Sequence, residues 1–384
     1  MLPSVHALVL IAAVKFSLQL ETGPEYDSNA PRAERLDDGS YSPQVGPPTG
    51  SPLWRATANA LLAWRHGPNV LRLTGTLGGK AFFLPEVLDQ NALVGQLTLD
   101  DKIQLKPKFW LCVAADYYDV GQLDAHGPIG TNSTVRHRDF RSGSASLALA
   151  FDVQGSHLSL DGGFRGVEYK PDDRYNFNGG FGHATLFRRF SLGDPEQPHE
   201  IDLFTGYRIE HRFFRGEAQK DNCSPGASGM CDLPIVGSGT ARSDWFQESS
   251  FEVTYVRSFL LSLGYTLTLD LSNSFGESLV RHTVASKVGV RLPWQLYATA
   301  KIQFLFTHFL NAQKFPALAE QTFISLDEEN RNSLVVELER AVWRRDLFVK
   351  VRYSLYTNEL TSAPVDFQRH VIFLGIRYKW EITR

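Results

Sequence analysis

The chain has no apolar run of the roughly 18 residues that a membrane-spanning helix requires, although apolar residues make up 43% of its 384 positions. Any segment that crosses a membrane must therefore be a β-strand. A strong charge of one sign is also missing, because the net formal charge is -3 and the basic residues are scattered. The sequence thus offers no electrostatic footprint for nucleic acid. No linker divides the chain, which predicts a single domain.

Cysteine is scarce, with three in the chain. Cys112 lies alone within an apolar segment, whereas Cys223 and Cys231 flank a loop rich in Gly, Pro and Ser. In an exported chain, two cysteines this close predict a local disulfide. A metal site needs more ligands than these, and no histidines recur at a ligand spacing, so we expect neither a metal nor a cofactor.

The first residues contain an apolar stretch, 7–13, that ends in small residues, as the core and cleavage region of a signal peptide would. A basic start is lacking, so the stretch is either a signal peptide (or its remnant) over residues 1–13 or an apolar lead-in to the first strand. We favour export. Residues 14–384 then form the folded domain.

Trp54 and Trp64 lie ten positions apart on one face of a segment in which every second residue between them is apolar. Ten strand residues at about 3.3 Å each, tilted by about 40°, rise roughly 25 Å, the height of the lipid-facing band of a transmembrane β-barrel. The same alternation recurs in about sixteen segments, most of them far longer than the usual strand of about 5 or 6 residues. The predicted segments are 14–21, 54–65, 70–80, 92–104, 108–119, 143–153, 157–170, 179–190, 200–214, 244–257, 259–271, 280–291, 295–309, 331–341, 346–356 and 367–380.

The connections between these segments alternate in length. Tight turns are predicted at 66–69, 105–107, 154–156 and 292–294, and long polar loops at 27–52, 120–142, 215–243 and 310–330. Short turns on the periplasmic side and long loops outside are the asymmetry of bacterial outer-membrane barrels. The fold class predicted is therefore all-β: a transmembrane, up-and-down, antiparallel β-barrel of about 16 strands.

The chain resembles the outer-membrane β-barrel proteins of Gram-negative bacteria, and its last strand carries the most specific part of the resemblance. That strand has an alternating apolar face that ends in aromatics, formed by Ile372, Leu374, Ile376, Tyr378 and Trp380. It is similar to the C-terminal signal that the barrel-assembly machinery reads in that class, except that four residues follow the last aromatic. The resemblance implies residence in the bacterial outer membrane, with its lipid and the assembly machinery as partners.

A second resemblance lies after the opening strand, in Glu25, Tyr26, Asp27, Ser28 and Asn29. This run resembles the first hairpin of barrels that accompany periplasmic helical-repeat proteins in polysaccharide exporters. It implies an export assembly with a periplasmic partner.

The face opposite the apolar series is heavily charged. Each basic residue would cost about 2 to 4 kcal/mol near the bilayer midplane, so these side chains must point into water or pair with one another. We predict that the following residues face the lumen: Arg208, Glu210, Arg212, Glu248, Glu252, Arg281, Lys287, Lys301, Glu337, Glu339, Lys350, Arg352, Arg369 and Arg377.

Two of these strands carry opposite signs side by side. Glu337 and Glu339 are predicted to lie next to Lys350 and Arg352, so cross-strand ion pairs are available. For any single residue, a salt-bridged lining is the simpler explanation than solute selection. If a constriction exists, the basic excess of the last strands favours anions, with Lys350 and Arg352 as its candidate residues.

These features predict an outer-membrane channel that passes polar or anionic solutes. The alternatives are a barrel component of a polysaccharide export or envelope assembly, and a closed structural or adhesive barrel. Catalysis would need a nucleophile and a base at the barrel mouth; the candidates, residues 27–29, 272–274 and His282, show no such spacing, so no enzyme activity is expected.

A soluble β-sandwich or a β-solenoid would also alternate apolar and polar residues. The strands are too long for a sandwich and the loop lengths alternate by side. No repeat of about 20 to 50 residues is present, as a solenoid would require. The pattern therefore favours the membrane barrel.

Overall fold

The computed structural model describes residues 13–31, 33, 35–36, 39–41, 46–122, 139–170, 173–193, 199–221, 235–310, 331–343, 346–357 and 365–383. Sixteen long strands form one closed ring in which every neighbouring pair is antiparallel and the last strand pairs with the first. The prediction of an up-and-down barrel of about sixteen strands is confirmed. The bounds are β1 Ala13–Asp27, β3 Ser51–His66, β4 Asn69–Phe82, β5 Ala92–Lys106, β6 Phe109–Gln122, β7 Phe140–Val153, β8 Ser156–Tyr169, β9 Phe177–Leu192, β10 His199–Asp221, β11 Ile235–Val256, β12 Phe259–Ser272, β13 Leu279–Leu292, β14 Leu296–Phe309, β15 Asn332–Trp343, β16 Leu347–Thr357 and β18 Gln368–Thr383.

Two further strands, β2 Arg35–Leu36 and β17 Val365–Asp366, pair with each other as a small separate ladder. Three short 3-10 turns, Pro85–Gln90, Asp173–Tyr175 and Pro293–Gln295, complete the regular structure of the described residues. No α-helix long and apolar enough to cross a membrane occurs in the part of the chain that the structure describes.

The two rims of the barrel differ in the length of their connections. At one rim, which we call the turn end, β7 and β8 are joined by Gln154 and Gly155, whose φ angles are 49° and 79°. Positive φ at both central residues is the geometry of the type I′ turn, whose twist matches that of the flanking strands. The opposite rim, the loop end, carries the longer connections, such as 28–50. The alternation predicted from the sequence is therefore present.

The outer face of the wall is apolar along its whole height. On β3, Trp54 and Trp64 are 47% and 46% exposed, and on β18 the alternating residues from Ile372 to Trp380 are similarly exposed. Monomeric soluble proteins rarely expose contiguous apolar patches larger than a few hundred Å². A closed ring of strands with an apolar exterior leaves no backbone polar group unpaired in lipid, so this surface is the lipid-facing face of an outer-membrane barrel.

Strands β10 and β11 are longer than the sequence pattern predicted. The segment 215–243 was expected to be a loop, but β10 continues to Asp221 and β11 begins at Ile235. Beyond the last pairing of β10 with β9, at Phe214, the two strands project past the rim as a ribbon. This part lies above the lipid and needs no apolar face, so its strands lack the alternation that would predict them.

The predicted signal peptide and the two cysteines of the predicted disulfide lie largely outside the described residues. Residues 1–12 are not described, and Ala13 already begins β1. Cys223 and Cys231 fall within 222–234, which is also outside the described residues. The signal peptide and the disulfide therefore remain predictions. Cys112, within β6, is a free cysteine.

The seam where the first strand meets the last depends on two glycines. A Cβ added at Gly23 would collide with the carbonyl oxygen of Leu374, and one added at Gly375 would lie 2.7 Å from the carbonyl oxygen of Thr22. Glycine is required here because the two backbones approach more closely than a side chain allows. The seam is further packed on its inner side by Phe373, which is fully buried.

Replacing Gly23 by alanine is expected to lower the free energy of unfolding by about 1 to 3 kcal/mol, because the added methyl group has no room at the seam. Urea unfolding in detergent micelles, followed by tryptophan fluorescence, measures the change. Gly264→Ala is the matched control, since a Cβ at that strand glycine would meet its nearest atom at 3.9 Å. Equal stability of the two variants would contradict a close seam.

Candidate functional site

The charged residues predicted for the lumen alternate with the exposed apolar residues of their strands. On β13, for example, Lys287 stands beside Val288, which is 40% exposed on the lipid side. On β15, Glu337 stands between Val336 and Leu338 in the same way. The same alternation holds for the remaining candidates, Arg208, Glu210, Arg212, Glu248, Glu252, Arg281, Lys301, Glu339, Lys350, Arg352, Arg369 and Arg377.

A buried ion-pair network lines the inner wall at the seam. We call this set the seam network: Glu21, Glu25, Asp27, Arg55, Lys80, Glu337, Lys350, Arg352 and Arg369. At its centre is Glu25 on β1, whose carboxylate lies 2.7 Å from Lys80 and 3.0 Å from Arg352. Arg55 approaches the same carboxylate at 3.5 Å. The side chain of Glu25 is fully buried and has no contact with solvent. The three cations therefore stabilise its charge in place of water.

The seam network continues to both sides of Glu25. Lys350 bridges Glu21 at 3.0 Å and Glu337 at 2.8 Å. Toward the loop end, the Arg369 guanidinium donates to both carboxylate oxygens of Asp27, with Nε at 2.9 and 3.0 Å. The network therefore ties together β1, β3, β4, β15, β16 and β18.

The residues after Asp27 form a tight turn that is held by Asn29. The Asn29 side chain accepts from the Ala33 amide at 2.8 Å and donates to the carbonyls of Ala33 and Gln368. The Asp27 carboxylate also accepts from the Asn29 backbone amide at 3.0 Å. The run Glu25–Asn29, singled out from the sequence for its resemblance to exporter barrels, is thus occupied in closing the barrel wall.

A second buried network lies elsewhere on the inner wall. We call this set the far-wall network: Arg165, Arg208, Glu210, Arg212, Arg242, Asp244, Asp270 and Glu277. Its centre is Glu210 on β10, with Arg208 at 2.9 Å, Arg212 at 3.2 Å and Arg165 at 3.8 Å. As at Glu25, one buried carboxylate is surrounded by three cations.

The far-wall network extends through three further ion pairs. Arg212 lies 3.5 Å from Asp270, and Arg242 lies 2.5 Å from Asp244 and 3.4 Å from Glu277. Phenylalanine rings cover the guanidinium groups, with Phe246 at 4.0 Å from Arg212 and Phe214 at 4.1 Å from Arg242. Stacking of this kind removes water from the cations and strengthens their pairing.

The two networks face each other across the lumen. In the ring of sixteen strands, β10 stands eight places from β1, so the central carboxylates are on opposite walls. Their heights are similar, because Glu25 pairs with Leu53, thirteen residues before the turn-end residue His66 of β3, and Glu210 pairs with Phe181, eleven before the turn-end residue Leu192 of β9. Both walls are therefore stiffened at one level.

The charged residues of β15 and β16 form ion pairs, but not with the partners that stand directly opposite them in register. Glu337 and Glu339 stand opposite Arg352 and Lys350 in register. The ion pairs run elsewhere: Glu337 binds Lys350, Glu339 binds Arg377 on β18, and Arg352 binds Glu25. Lys350 and Arg352 are only 9% and 4% exposed, so they do not form the accessible constriction that the sequence suggested.

Eight members of the networks were not singled out from the sequence: Glu21, Arg55, Lys80, Arg165, Arg242, Asp244, Asp270 and Glu277. Arg55 and Lys80 occupy inward positions of β3 and β4, and each stands two residues from a buried apolar side chain on the same face: Arg55 follows Leu53, and Lys80 precedes Phe82. A charge at an inward position next to a buried apolar residue is the signal that could have identified them, because it predicts a desolvated and therefore paired group.

Residues considered for catalysis have structural partners. The Asp27 carboxylate and the Asn29 amide are engaged as described above, and the Ser28 hydroxyl accepts from the His370 amide at 2.8 Å. The Nδ1 atom of His282 is hydrogen-bonded to the Tyr265 hydroxyl at 2.8 Å on the outer face of the barrel. Among the described residues, no group of three or more His, Cys, Asp or Glu side chains could hold a metal ion.

No family model matches the chain, and no curated protein matches it. Solved structures that resemble it include Acinetobacter baumannii OccAB1, at 12% identity and a TM-score of 0.44 over 95% of this chain and 96% of that one. Pseudomonas aeruginosa OccK9 is 10% identical, with a TM-score of 0.44 over 96% of this chain and 98% of that one. The outer-membrane OmpT of Vibrio cholerae is 11% identical, with a TM-score of 0.42 over 96% of this chain and 98% of that one. Likenesses of this degree identify neither a family nor a function.

Neutralising either central carboxylate is expected to destabilise the barrel strongly. Glu25→Gln and Glu210→Gln each leave three cations without their shared partner, which for a buried charge costs about 3 to 5 kcal/mol. Because the networks share no residue, the double variant should lose the sum of the two, within about 0.5 kcal/mol.

Urea unfolding of the three variants measures these losses, and Glu381→Gln serves as the control because that exposed carboxylate should contribute little. A double variant that is no less stable than either single one would show that the two walls do not act independently.

Glu277 lies in the loop 273–278, outside the membrane-spanning strands. Burial raises the pKa of its carboxyl group above the ordinary value of 4.5, and the neighbouring Asp244 raises it further against the attraction of Arg242. Stability that depends on protonated Glu277 is fully present below about pH 4.5 and is lost as the pH rises through the higher pKa of the folded state.

The wild type should therefore lose stability relative to Glu277→Gln as the pH rises from 4.5. Urea titrations of the two proteins at several pH values provide the difference. Parallel stability profiles would mean that the Glu277 carboxyl has an ordinary pKa in the folded protein.

Proposed function

We propose that this protein is a passive channel of the bacterial outer membrane that passes polar solutes, including anionic ones, through a charged lumen. The observation that carries the proposal is a closed ring of sixteen strands whose inner face bears charged side chains, some of them accessible to water. Barrels of 16 to 18 strands leave an aqueous channel, whereas about 8 strands are filled by their own side chains.

The arrangement of charge supports a lumen of fixed shape. The seam network and the far-wall network neutralise most of the strongly buried charges, and their residues are packed against phenylalanine rings. Rigid opposite walls at one level keep a constant separation, as a passive pore requires. Glu248, Glu252, Lys287 and Lys301 lie outside both networks and form no ion pair among the described residues, so they remain to act on passing solutes.

Two alternative functions predict other partners, or a different conductance, than a passive channel does. A barrel of a polysaccharide export or envelope assembly would bind a periplasmic protein, and a closed structural or adhesive barrel would pass no ions. A channel needs neither a catalytic residue nor a cofactor, and we expect none. Lipid and the barrel-assembly machinery are the partners that we propose in each case.

Single-channel recording in a planar bilayer tests the proposal through two neighbouring alanines of β6. Ala114 faces the lumen and Ala115 faces lipid, since the outward series of this strand includes Tyr117. Ala114→Trp should reduce the unit conductance because the indole occupies part of the lumen, whereas Ala115→Trp should leave it unchanged. Absence of ion conduction by the folded wild type would support the closed barrel instead.

A further inference from the structure

Two lysines face each other directly on the inner wall between the two networks. Lys287 on β13 and Lys301 on β14 are register partners, and both are exposed. They alternate with the lipid-facing Val288 and Ile302, so their ammonium groups reach into the lumen. Like charges directly opposite each other on neighbouring strands destabilise a sheet.

Neither lysine has a compensating carboxylate. In the described ranges, neither side chain takes part in an ion pair, and the acids on nearby strands are engaged elsewhere. The Glu252 carboxylate accepts from the hydroxyls of Ser262 at 2.7 Å and Thr254 at 2.9 Å. Glu337 is paired with Lys350 at 2.8 Å. The two ammonium groups therefore lie next to each other without an ion-pair partner in the described wall, while the Glu252 carboxylate keeps its negative charge two strands away on β11.

Apart from Val335, the register partner of Lys301 on β15, the positions around the two lysines carry small or hydroxyl side chains. Ser262 is the register partner of Lys287 on β12, and Ala285 and Gly289 flank Lys287 on the same face of β13. Thr299 precedes Lys301 on the same face of β14. No large side chain at these positions covers the ammonium groups. The Ser262 hydroxyl donates to Glu252, whereas the Thr299 hydroxyl adds a hydrogen-bond donor beside the lysines.

The wall on the other side of the lumen carries charges of both signs. β5 and β6 stand eight places from β13 and β14 in the ring, and their inner faces carry the acids Asp100 and Asp116 together with Lys102, which lies over the Trp110 ring. Asp116 accepts from the Thr98 hydroxyl at 3.0 Å and has no ion pair among the described residues. Its negative charge repels an anion that approaches this side of the lumen.

We propose that Lys287 and Lys301 form an anion-binding station that holds the carboxylate or phosphate oxygens of a solute during its passage. A bound anion removes the repulsion between the two ammonium groups and gains charge-assisted hydrogen bonds from both. A strand pair that violates the charge rule without internal compensation is expected where a ligand supplies the missing charge. This inference rests on the proposed channel function and assigns anion preference to this pair rather than to Lys350 and Arg352.

The first test is the reversal potential of the channel in a potassium chloride gradient. Lys287→Gln and Lys301→Gln should each reduce the chloride-to-potassium permeability ratio about fourfold, the Boltzmann factor of one unit charge about 5 Å away in water. The reduction should vanish near 1 M salt, where the Debye length is about 3 Å. Lys379→Gln is the matched control, because Lys379 is an exposed inner-face lysine that already has Glu381 at 3.3 Å.

A second test does not depend on conduction. In detergent micelles at low ionic strength, Lys287→Gln/Lys301→Gln should unfold at a higher temperature than the wild type, because the repulsion is gone. Millimolar inorganic phosphate or acetate should raise the unfolding temperature of the wild type and leave the double variant unchanged. Stabilisation by both anions indicates a general anion station, and stabilisation by one of them identifies the group that it prefers.

The outcomes separate this inference from the proposed function. A wild type that does not conduct but is stabilised by anions through the two lysines would overturn the channel and retain the binding station. An unchanged permeability ratio in the lysine variants of a conducting channel, together with no anion stabilisation, would overturn the station and retain the channel.

Discussion

Every backbone polar group that crosses the lipid must find its partner within the wall, and only a ring of strands without an edge meets this demand. Closure of β1 on β18 is therefore the condition on which the rest of the structure depends. Gly23 and Gly375 make the approach possible, and Phe373 packs the inner side of the junction. Once the ring is closed, the alternation of residues along each strand determines which side chains meet lipid and which meet the interior.

The interior is organised around two glutamates on opposite walls, each held by three cations. A buried carboxylate and its cations are costly to desolvate, so a buried ion pair adds little net stability. Such pairs instead specify one arrangement of the strands, because any other arrangement leaves a buried charge unpaired. In this barrel they hold strands that are distant in sequence at fixed positions. The charged groups that remain accessible, including Lys287 and Lys301, are those that a solute would meet.

The fold was predictable because lipid imposes a period of two on every strand, and sixteen such segments leave few alternative architectures. The inward orientation of Glu210 or Lys350 follows from the same alternation. The ion-pair partners did not follow, since Arg352 bypasses its register neighbour Glu337 for Glu25, which is more than 300 residues away in sequence. The extended parts of β10 and β11 were also missed, because strands outside the lipid carry no apolar face.

The seam joins residues at the two ends of the chain, with Lys15 opposite Thr383 and Asp27 opposite Val371. Contacts of such large sequence separation are slow to form, because the entropy of closing the intervening loop is lost before the contact contributes. The hairpins can form early and locally, whereas the junction can form only after β18 has been synthesised. Until then the chain has two open strand edges and an unsealed apolar surface, so formation of the junction is the step that ends its exposure to edge-to-edge aggregation.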